Sequence, residues 1–274
     1  LNLYLTVCRI GKTTALQRQM IGGTSNSIGM AIAPLVISYL IFHGTPLHDI
    51  VTKQFIIPLI ILILIMLIIT ILVGKTQMPS IDNVRQVPGE KFDKSVWSFR
   101  NLKLGVWGIF FYVGIEVAVG ANVNMYASEL GGSFASNATH MAALYWGLLL
   151  LGRFLGSFIK QVPSEKQLVI ASIGAIVLLV LAMLTANPWI LTLIGFFHSI
   201  MWPAIFTLAT DQLGKYTTKA SGVLTMGVIG GGIIPLLQGI FADVMGGNWL
   251  WTWLLVIAGE AYILYYGLNG YKQH

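Results

Sequence analysis

Long apolar stretches, separated by short polar connections, make up most of the chain. The clearest is Gln54–Gly74, which has a lysine on either side and no charged residue within it. The stretch Gln167–Thr210 contains no Asp, Glu, Lys or Arg and is long enough for two membrane-spanning helices, since one needs about 20 apolar residues. Residues 185–188, Thr-Ala-Asn-Pro, predict the turn between these helices, because proline is favoured at the first position of a helix.

Five further stretches have the length and apolar character of a spanning helix: Gln19–Phe42, Leu104–Tyr126, Met141–Ile159, Ser221–Asp243 and Trp249–Tyr271. The pattern therefore predicts about eight spans and an all-α, polytopic membrane protein. The first residues, Leu1–Cys8, are apolar but only about a third of a span long, and they lack the basic start of a signal peptide. We interpret them as the end of a helix that begins further upstream.

The composition makes lipid the necessary solvent for most of the chain. Of the 274 residues, 56% are hydrophobic and 9% are charged, and the mean hydropathy is +0.78, whereas a soluble domain carries about 25% charged residues. The single cysteine, Cys8, excludes a disulfide framework and a cysteine-rich metal site. The net charge of +6 is not gathered into a basic run that would bind phosphates, so no nucleic-acid partner is predicted.

The basic residues lie almost entirely on one side of the membrane when the predicted spans alternate. Of the 16 Lys and Arg, only Lys53 falls on the other side. The positive-inside rule assigns the crowded side to the cytoplasm; Arg153 is counted there, in the connection between the fourth and fifth spans. Residues 75–102 are the predicted cytoplasmic central loop, between a first helical region, residues 1–74, and a last region of six helices, residues 103–274.

Glu116 is the strongest candidate for a functional residue, because it lies in the middle of an apolar span. An acidic side chain at the bilayer centre costs about 2.5–3.5 kcal/mol on insertion scales, so a cavity, a partner or a proton must offset that cost. Tyr112 and Asn124 share its helix face at i−4 and i+8. A carboxylate, a phenol and an amide on one face suit a polyol substrate. The alternative is a glutamate that locks two helices together by hydrogen bonds.

Other polar side chains lie within predicted spans. His198 and Trp202 are i, i+4 neighbours, and Pro203 beside them favours a kink. Such a face can stack on a sugar ring and bond its hydroxyls, but a lone histidine in a membrane is about as often a hydrogen-bond partner between helices. Asn26 lies among small polar residues of the first full span, where a ligand role and ordinary helix packing are equally open.

The last two spans add weaker candidates. Gly227 and Gly231 have the spacing of closely packed membrane helices, which explains these glycines better than a ligand role does. Gln238, further along the same span, is a weaker ligand candidate. Glu260 in the last span is a second buried acid, for which a ligand role and a structural role are equally open.

No motif indicates catalysis, so neither an enzyme nor a cofactor is predicted. Gly11-Lys12-Thr13-Thr14 looks like the end of a phosphate-binding loop, but Thr6 stands where the earlier glycine is required. Zinc-protease, nucleophile-elbow and metal-spaced motifs do not occur in the sequence. An integral-membrane enzyme would need a catalytic constellation that these residues do not form, and an open channel would not move a solute uphill.

Several long strings resemble the fucose/glucose/galactose–proton symporter family of the major facilitator superfamily. They cover nearly the whole chain and are strongest between residues 110 and 243. The strings are Phe111–Gly120 (FYVGIEVAVG), Tyr145–Gly147 with Gly152–Ser157, and Ser199–Leu208 (SIMWPAIFTL), continued by Leu213–Thr217 and Gly230–Pro235.

The resemblance implies the major facilitator fold, of which this chain would hold the last two helices of the N-terminal half and the complete six-helix C-terminal half. It implies a multi-pass transporter of the bacterial inner membrane that moves a hexose such as fucose, galactose or glucose together with protons by alternating access. The implied partners are a monosaccharide, protons and the lipid bilayer, and we expect a monomer. The upstream helices that would be missing leave an alternative open: a non-transporting membrane protein, such as a sugar sensor or an inactive fragment.

Particular positions of the resemblance bear on the site. Arg18 and Asn26 match an arginine and a sugar-contacting asparagine of the family, but Gly23 stands where the family has glutamine, and His198 stands where relatives often have another polar residue. The proton-coupling carboxylates of the family would lie upstream of Leu1. The predicted substrate site comprises Asn26, Tyr112, Glu116, Asn124, His198, Trp202 and Gln238.

Overall fold

The computed structural model describes residues 2–8, 11–35, 56–76 and 92–273. Helices and the connections between them account for all of these residues, and no β-strand occurs in them. The α-helices in chain order are α1 (Asn2–Val7), α2 (Ala15–Leu35), α3 (Ile56–Lys75), α4 (Arg100–Leu130), α5 (Gly132–Ser136), α6 (Ala138–Gly156), α7 (Ser164–Thr185), α8 (Pro188–His198), α9 (Met201–Ala209), α10 (Thr217–Thr225), α11 (Gly230–Val244) and α12 (Trp253–Tyr265).

Short turns of other helix types link or extend these elements. A 3₁₀ turn precedes each of α10, α11 and α12, and a π-helical turn, Tyr266–Gly270, continues α12. Five described segments are long and apolar enough to cross a membrane: Ile56–Lys75, Arg100–Leu130, Ser164–Thr185, Pro188–Ala209 and Gly214–Val244. The other three predicted spans overlap α2, α6 and the helical residues 250–270, but do not meet that criterion and stay predictions. Residues 36–42 of the predicted span Gln19–Phe42 lie outside the described residues.

The chain divides into two compact units, one formed by Leu1–Ser25 with Ile81–His274 and the other by Asn26–Ser80. The second unit contains α3, whose sequence is apolar around its whole circumference and none of whose residues is buried. A helix that is apolar on every side needs lipid or protein around it rather than water. The first unit holds every element from α4 to α12 and is described below.

Helix α4 is the central element of the first unit. It packs against α6, α8, α9, α11 and α12. Its buried side chains, which include Ile109, Tyr112, Ile115, Val119 and Val123, recur every three or four residues and form one broad face. Any polar group on that face lies inside the bundle rather than in lipid.

Glycines bring the start of α11, and the 3₁₀ turn before it, into direct contact with α4. A methyl group added at Gly230 would overlap the main-chain carbonyl of Phe110, and one added at Gly227 would come within 2.6 Å of the Val106 carbonyl oxygen. Gly232 has nothing within 4 Å of the same position. The predicted packing role of the glycine-rich segment is therefore confirmed for its inward-facing glycines.

Residues 92–99, the described end of the predicted central loop, are fixed to the first unit by Tyr216. The main-chain N–H groups of Asp93 and Lys94 lie 3.1 and 3.3 Å from the Tyr216 hydroxyl and donate to it. The rings of Phe92 and Phe99 lie 4.9 and 5.0 Å from the tyrosine ring, centroid to centroid. The loop thus enters α4 from a defined position.

Candidate functional site

Glu116 lies on the inward face of α4, as the span pattern predicts. Its side chain is 13% exposed, and the Tyr112 hydroxyl donates a hydrogen bond of 2.7 Å to its Oε1. The two residues are one helical turn apart, so the backbone of α4 alone sets this contact. Tyr112 itself is fully buried.

Arg153 in α6 supplies the positive charge that balances Glu116. Its Nη2 lies 3.3 Å from Glu116 Oε1, and the two side chains are only 9% and 13% exposed. The prediction that Arg153 lies in the connection between the fourth and fifth spans was wrong: the residue lies in the last turn of α6 and is buried in the bundle. Because the charges are paired and hydrogen-bonded, the apolar surroundings can hold both of them.

A break in the helix pair α8–α9 provides a second anchor for Arg153. The helix ends at His198 and resumes at Met201. Pro203 has no N–H, so the Ser199 carbonyl four residues earlier has no helical donor. The Nε of Arg153 lies 3.4 Å from that carbonyl oxygen and donates to it. The helical hydrogen bonding is therefore interrupted just before Pro203, where the kink was predicted, and the Ser199 carbonyl helps to aim the guanidinium group at Glu116.

Two glycines leave room for the Arg153 side chain and for the close approach of α6 to the break. A methyl group added at Gly152 would overlap the Ser199 side chain and approach the Phe196 carbonyl, so only glycine lets α6 lie this close to the break. Gly23 of α2, which departs from the family pattern, has the aliphatic part of Arg153 beside it, with Cδ 3.3 Å from the position of an added Cβ. A larger residue at 23 would press on the ion pair.

His198 is fully buried and uses both of its ring nitrogens. Its Nδ1 lies 2.6 Å from the Tyr145 hydroxyl, and its Nε2 lies 2.6 Å from Glu260 Oε1. The Tyr145 hydroxyl also donates to the main-chain oxygen of Glu116 at 3.1 Å. In this conformation His198 connects helices and presents no atom to a ligand, which agrees with the interhelical role that the sequence left open.

Trp202 gives the cluster an aromatic wall. Its ring lies 6.5 Å from that of Tyr112 and stacks on Phe206 at 6.3 Å, centroid to centroid. The tryptophan is only partly buried. Trp202 therefore adds an apolar ring face next to Tyr112, whose hydroxyl contacts both the carboxylate and the guanidinium. This combination suits a ligand that has both C–H faces and hydroxyl groups.

Two other predicted site residues of the first unit, Gln238 and Asn124, lie apart from this cluster. Gln238 is fully buried; its Oε1 accepts from Asn122 at 2.9 Å and its Nε2 donates to Thr252 at 3.1 Å. Asn124 lies two turns from Glu116, about 12 Å along the helix axis, and its buried Oδ1 has no hydrogen-bond partner among the described residues. Asn26 belongs to the second unit, where its side chain is exposed.

We expect Gln238→Leu to lower the free energy of unfolding by about 1–3 kcal/mol, because it removes the bond to Asn122 and one of the two bonds of the Thr252 hydroxyl, which keeps its bond to the Trp249 carbonyl. The substrate concentration for half-maximal uptake should stay unchanged, since both ends of Gln238 are engaged by protein. Thermal unfolding and uptake kinetics of the purified, reconstituted protein measure the two quantities. Gln167→Leu is the control, because Gln167 makes one such bond, to the Val162 carbonyl. A weaker affinity at unchanged stability would instead make Gln238 a ligand.

Three members of the cluster were not among the predicted site residues: Tyr145, Arg153 and Glu260. Tyr145 and Arg153 stand inside strings that carry the family resemblance, and Glu260 had been noted as a second buried acid. The available signal was that each is a polar residue within or beside an apolar span. No group of three His, Cys, Asp or Glu side chains that could hold a metal ion occurs among the described residues.

Comparison with known proteins places the chain among membrane transporters. The sequence model of the Major Facilitator Superfamily matches residues 17–235. A putative glucose/galactose transporter of Helicobacter pylori strain J99 is 35% identical over 287 residues, which cover 99% of this chain and 70% of that protein. A glucose/galactose transporter of Brucella abortus biovar 1 is 34% identical, covering 99% of this chain and 67% of that protein.

More distant similarities point the same way. The L-fucose-proton symporter of Escherichia coli is 28% identical over 199 residues, which cover 69% of this chain and 45% of that protein. The crystal structure of the transporter FucP in the outward conformation superposes with a TM-score of 0.81 at 23% identity, covering 98% of this chain and 71% of that chain. The predicted helical membrane fold is thereby confirmed.

These relatives are transporters, and the prediction that the chain is not an enzyme is confirmed with them. The chain belongs to the Major Facilitator Superfamily, within the family that includes the glucose/galactose transporters and the L-fucose-proton symporters, and it is a multi-pass membrane protein.

Proposed function

We propose that the protein is a secondary active transporter that carries a hexose, such as fucose, galactose or glucose, together with protons across the bacterial inner membrane. The observation that carries the proposal is the paired Glu116–Arg153 charge beside Tyr112 and Trp202 in the interior of an apolar helix bundle. Buried ionisable groups in a membrane protein mark substrate or ion pathways. The names of the relatives, glucose/galactose transporter and L-fucose-proton symporter, support the same substrate class.

Each group in this cluster has a chemical use toward a sugar. The Glu116 carboxylate accepts hydrogen bonds from sugar hydroxyls, and the Arg153 guanidinium donates to hydroxyl or ring oxygens. The Trp202 ring packs against the apolar face of the sugar. Asn124, whose amide oxygen has no partner in the described structure, would accept from a hydroxyl when the substrate enters from that end of α4. Asn26 stays a proposed substrate contact, as its match to the family's sugar-contacting asparagine implies.

The transport cycle that we propose is alternating access by a monomer. The substrate binds near the middle of the membrane, and two helical halves rock around it so that only one side opens at a time. The break between α8 and α9 lies beside the proposed site, as broken helices do in other transporters.

Uptake of labelled fucose, galactose, glucose and N-acetylglucosamine into energised vesicles, with and without a protonophore, tests the proposal. We expect one of these sugars to accumulate against its gradient and the protonophore to abolish the accumulation. Binding of a sugar without uptake would favour the sensor alternative. Accumulation that the protonophore does not affect would contradict proton coupling but not sugar transport.

A further inference from the structure

His198 and Glu260 form a fully buried pair of ionisable side chains that the proposed sugar site does not use. We propose that His198 and Glu260 together bind one exchangeable proton. When this proton is bound, the Tyr145 hydroxyl donates to the main-chain oxygen of Glu116 on α4, and when it is absent the hydroxyl donates to His198. The proposal deepens the proton coupling proposed above and rests on it for its role in transport. The proton site itself is a property of the pair that can be measured without any sugar.

The geometry joins four helices into one hydrogen-bonded chain. Glu260 on α12 contacts His198 on α8 at 2.6 Å, and both side chains are 0% exposed. His198 contacts Tyr145 on α6 at 2.6 Å, and Tyr145 reaches the main-chain oxygen of Glu116 on α4 at 3.1 Å. The second carboxylate oxygen of Glu260 has no hydrogen-bond partner among the described residues.

This series of hydrogen bonds has two states, which differ by one proton on the His198–Glu260 pair. The Tyr145 hydroxyl has one hydrogen, and the Glu116 main-chain oxygen can only accept. When Tyr145 donates to Glu116, the contact with His198 requires a hydrogen on Nδ1, so the pair with Glu260 holds an extra proton. When the pair loses that proton, Nδ1 becomes an acceptor and the Tyr145 hydroxyl donates its hydrogen bond to it. The Glu116 main-chain oxygen then no longer accepts from Tyr145. Both contacts lie within hydrogen-bonding distance, and the two can be hydrogen bonds at the same time only in the proton-loaded state.

The nearby charges favour the loaded state while the site is closed. The groups that face the pair are Tyr112 and Glu116 on α4, with Tyr145 and Arg153 on α6. With the proton, the charges of Arg153, Glu116 and the pair sum to zero; without it they sum to −1. A net charge in a dry interior is costly, so the proton should leave only when the pair is opened to water.

Other helices around the pair add few titratable groups. Helix α9 has none, and those of α7 and α11 lie in the first or last turn: Glu165, Lys166 and Asp243. On α12 the Tyr262 hydroxyl is turned to the Leu104 carbonyl at 3.0 Å. The proton therefore comes from water and returns to water, rather than from a neighbouring acid in the described bundle.

The proton content is measured by pH-difference infrared spectroscopy of the purified protein in liposomes. We expect the wild type to show a titrating histidine and carboxyl signal that is lost in Glu260→Gln. Tyr145→Phe should keep this signal but shift its midpoint, because the hydroxyl that responds to it is gone. A titration that is identical in the wild type and Glu260→Gln would overturn the proposal. If Glu260→Gln does not fold, a titration midpoint that is the same in Tyr145→Phe and the wild type would also overturn the proposal.

Sugar transport provides the second test. We expect Tyr145→Phe to exchange internal for external sugar but to lose accumulation driven by an imposed pH gradient, so that the inside-to-outside ratio falls to unity. Tyr262→Phe is the matched control, since its hydroxyl also donates to an α4 carbonyl, that of Leu104, but touches no titratable pair; its accumulation should equal that of the wild type. The link through Tyr145 would be contradicted if both variants lost sugar accumulation equally, or if neither variant lost it. If the wild type accumulates no sugar, the proposed function fails, while the infrared result still decides the proton site.

Discussion

Replacing Glu116 by Gln is expected to reduce sugar uptake by about 10- to 100-fold, because a charge-assisted hydrogen bond contributes about 1.5–3 kcal/mol and each 1.4 kcal/mol is a factor of ten. Glutamine has nearly the same shape and still offers an oxygen to Tyr112 and Arg153. The variant should therefore fold, with a lower unfolding temperature because the arginine loses its counter-charge. Initial rates of labelled-sugar uptake at equal amounts of reconstituted protein give the ratio.

Glu129→Gln is the control for this change. Glu129 lies in the last turn of the same helix, is exposed, and accepts from the main-chain N–H of Trp249 at 2.8 Å. Its neutralisation removes the same charge from α4 but leaves the cluster at Glu116 intact, so uptake should stay near that of the wild type. Unchanged uptake in Glu116→Gln would mean that the buried ion pair is only a lock between α4 and α6, the alternative raised by the sequence.

Replacing Gly230 by Ala is expected to destabilise the protein strongly, although the change adds only one methyl group. That methyl would overlap the main-chain carbonyl of Phe110, and neither backbone can move without separating α11 from α4. Overpacking a tight interior costs about 1–3 kcal/mol, and contact with a backbone atom should place this variant at the upper end. The unfolding temperature and the monodisperse fraction after detergent extraction measure the effect.

Gly232→Ala is the matched control in the same turn of α11. An added Cβ at Gly232 meets nothing within 4 Å, and alanine favours a helix over glycine by up to about 1 kcal/mol. The Gly232 variant should thus be as stable as the wild type or slightly more stable. If both variants behave alike, flexibility of the glycine-rich segment rather than close packing would account for its composition.

The helical fold could be predicted from the sequence because lipid imposes one simple requirement, a long apolar stretch for each crossing. The ends of the helices were harder to predict from the sequence. The span predicted as Leu104–Tyr126 belongs to a helix that begins at Arg100 and ends at Leu130, since hydrogen bonding continues through polar residues beyond the apolar part. Pro203 indicated that the helix is interrupted nearby, but the sequence alone did not show that α8 ends at His198.

The candidate site was predicted only where its contacts are local. Tyr112 and Glu116 meet because they are one turn apart, and helical periodicity shows this directly. Arg153 lies 37 residues from Glu116 in the sequence, and Glu260 lies 62 residues from His198. These pairs depend on how four helices pack, which a search along each helix face does not examine. Arg153 was also misplaced because a basic residue near a span end is usually cytoplasmic.

Pro203 and Glu116 belong to different helices, yet Arg153 connects the effect of one to the charge of the other. The proline withholds an amide from the Ser199 carbonyl, and the arginine that supplies the missing donor is the one that neutralises the glutamate. An ordinary residue at 203 would satisfy that carbonyl within its own helix and free the guanidinium from one of its anchors. The effects of substitutions at 203 and 116 should therefore be non-additive, because a change of main-chain chemistry at 203 alters how firmly the arginine is held against Glu116.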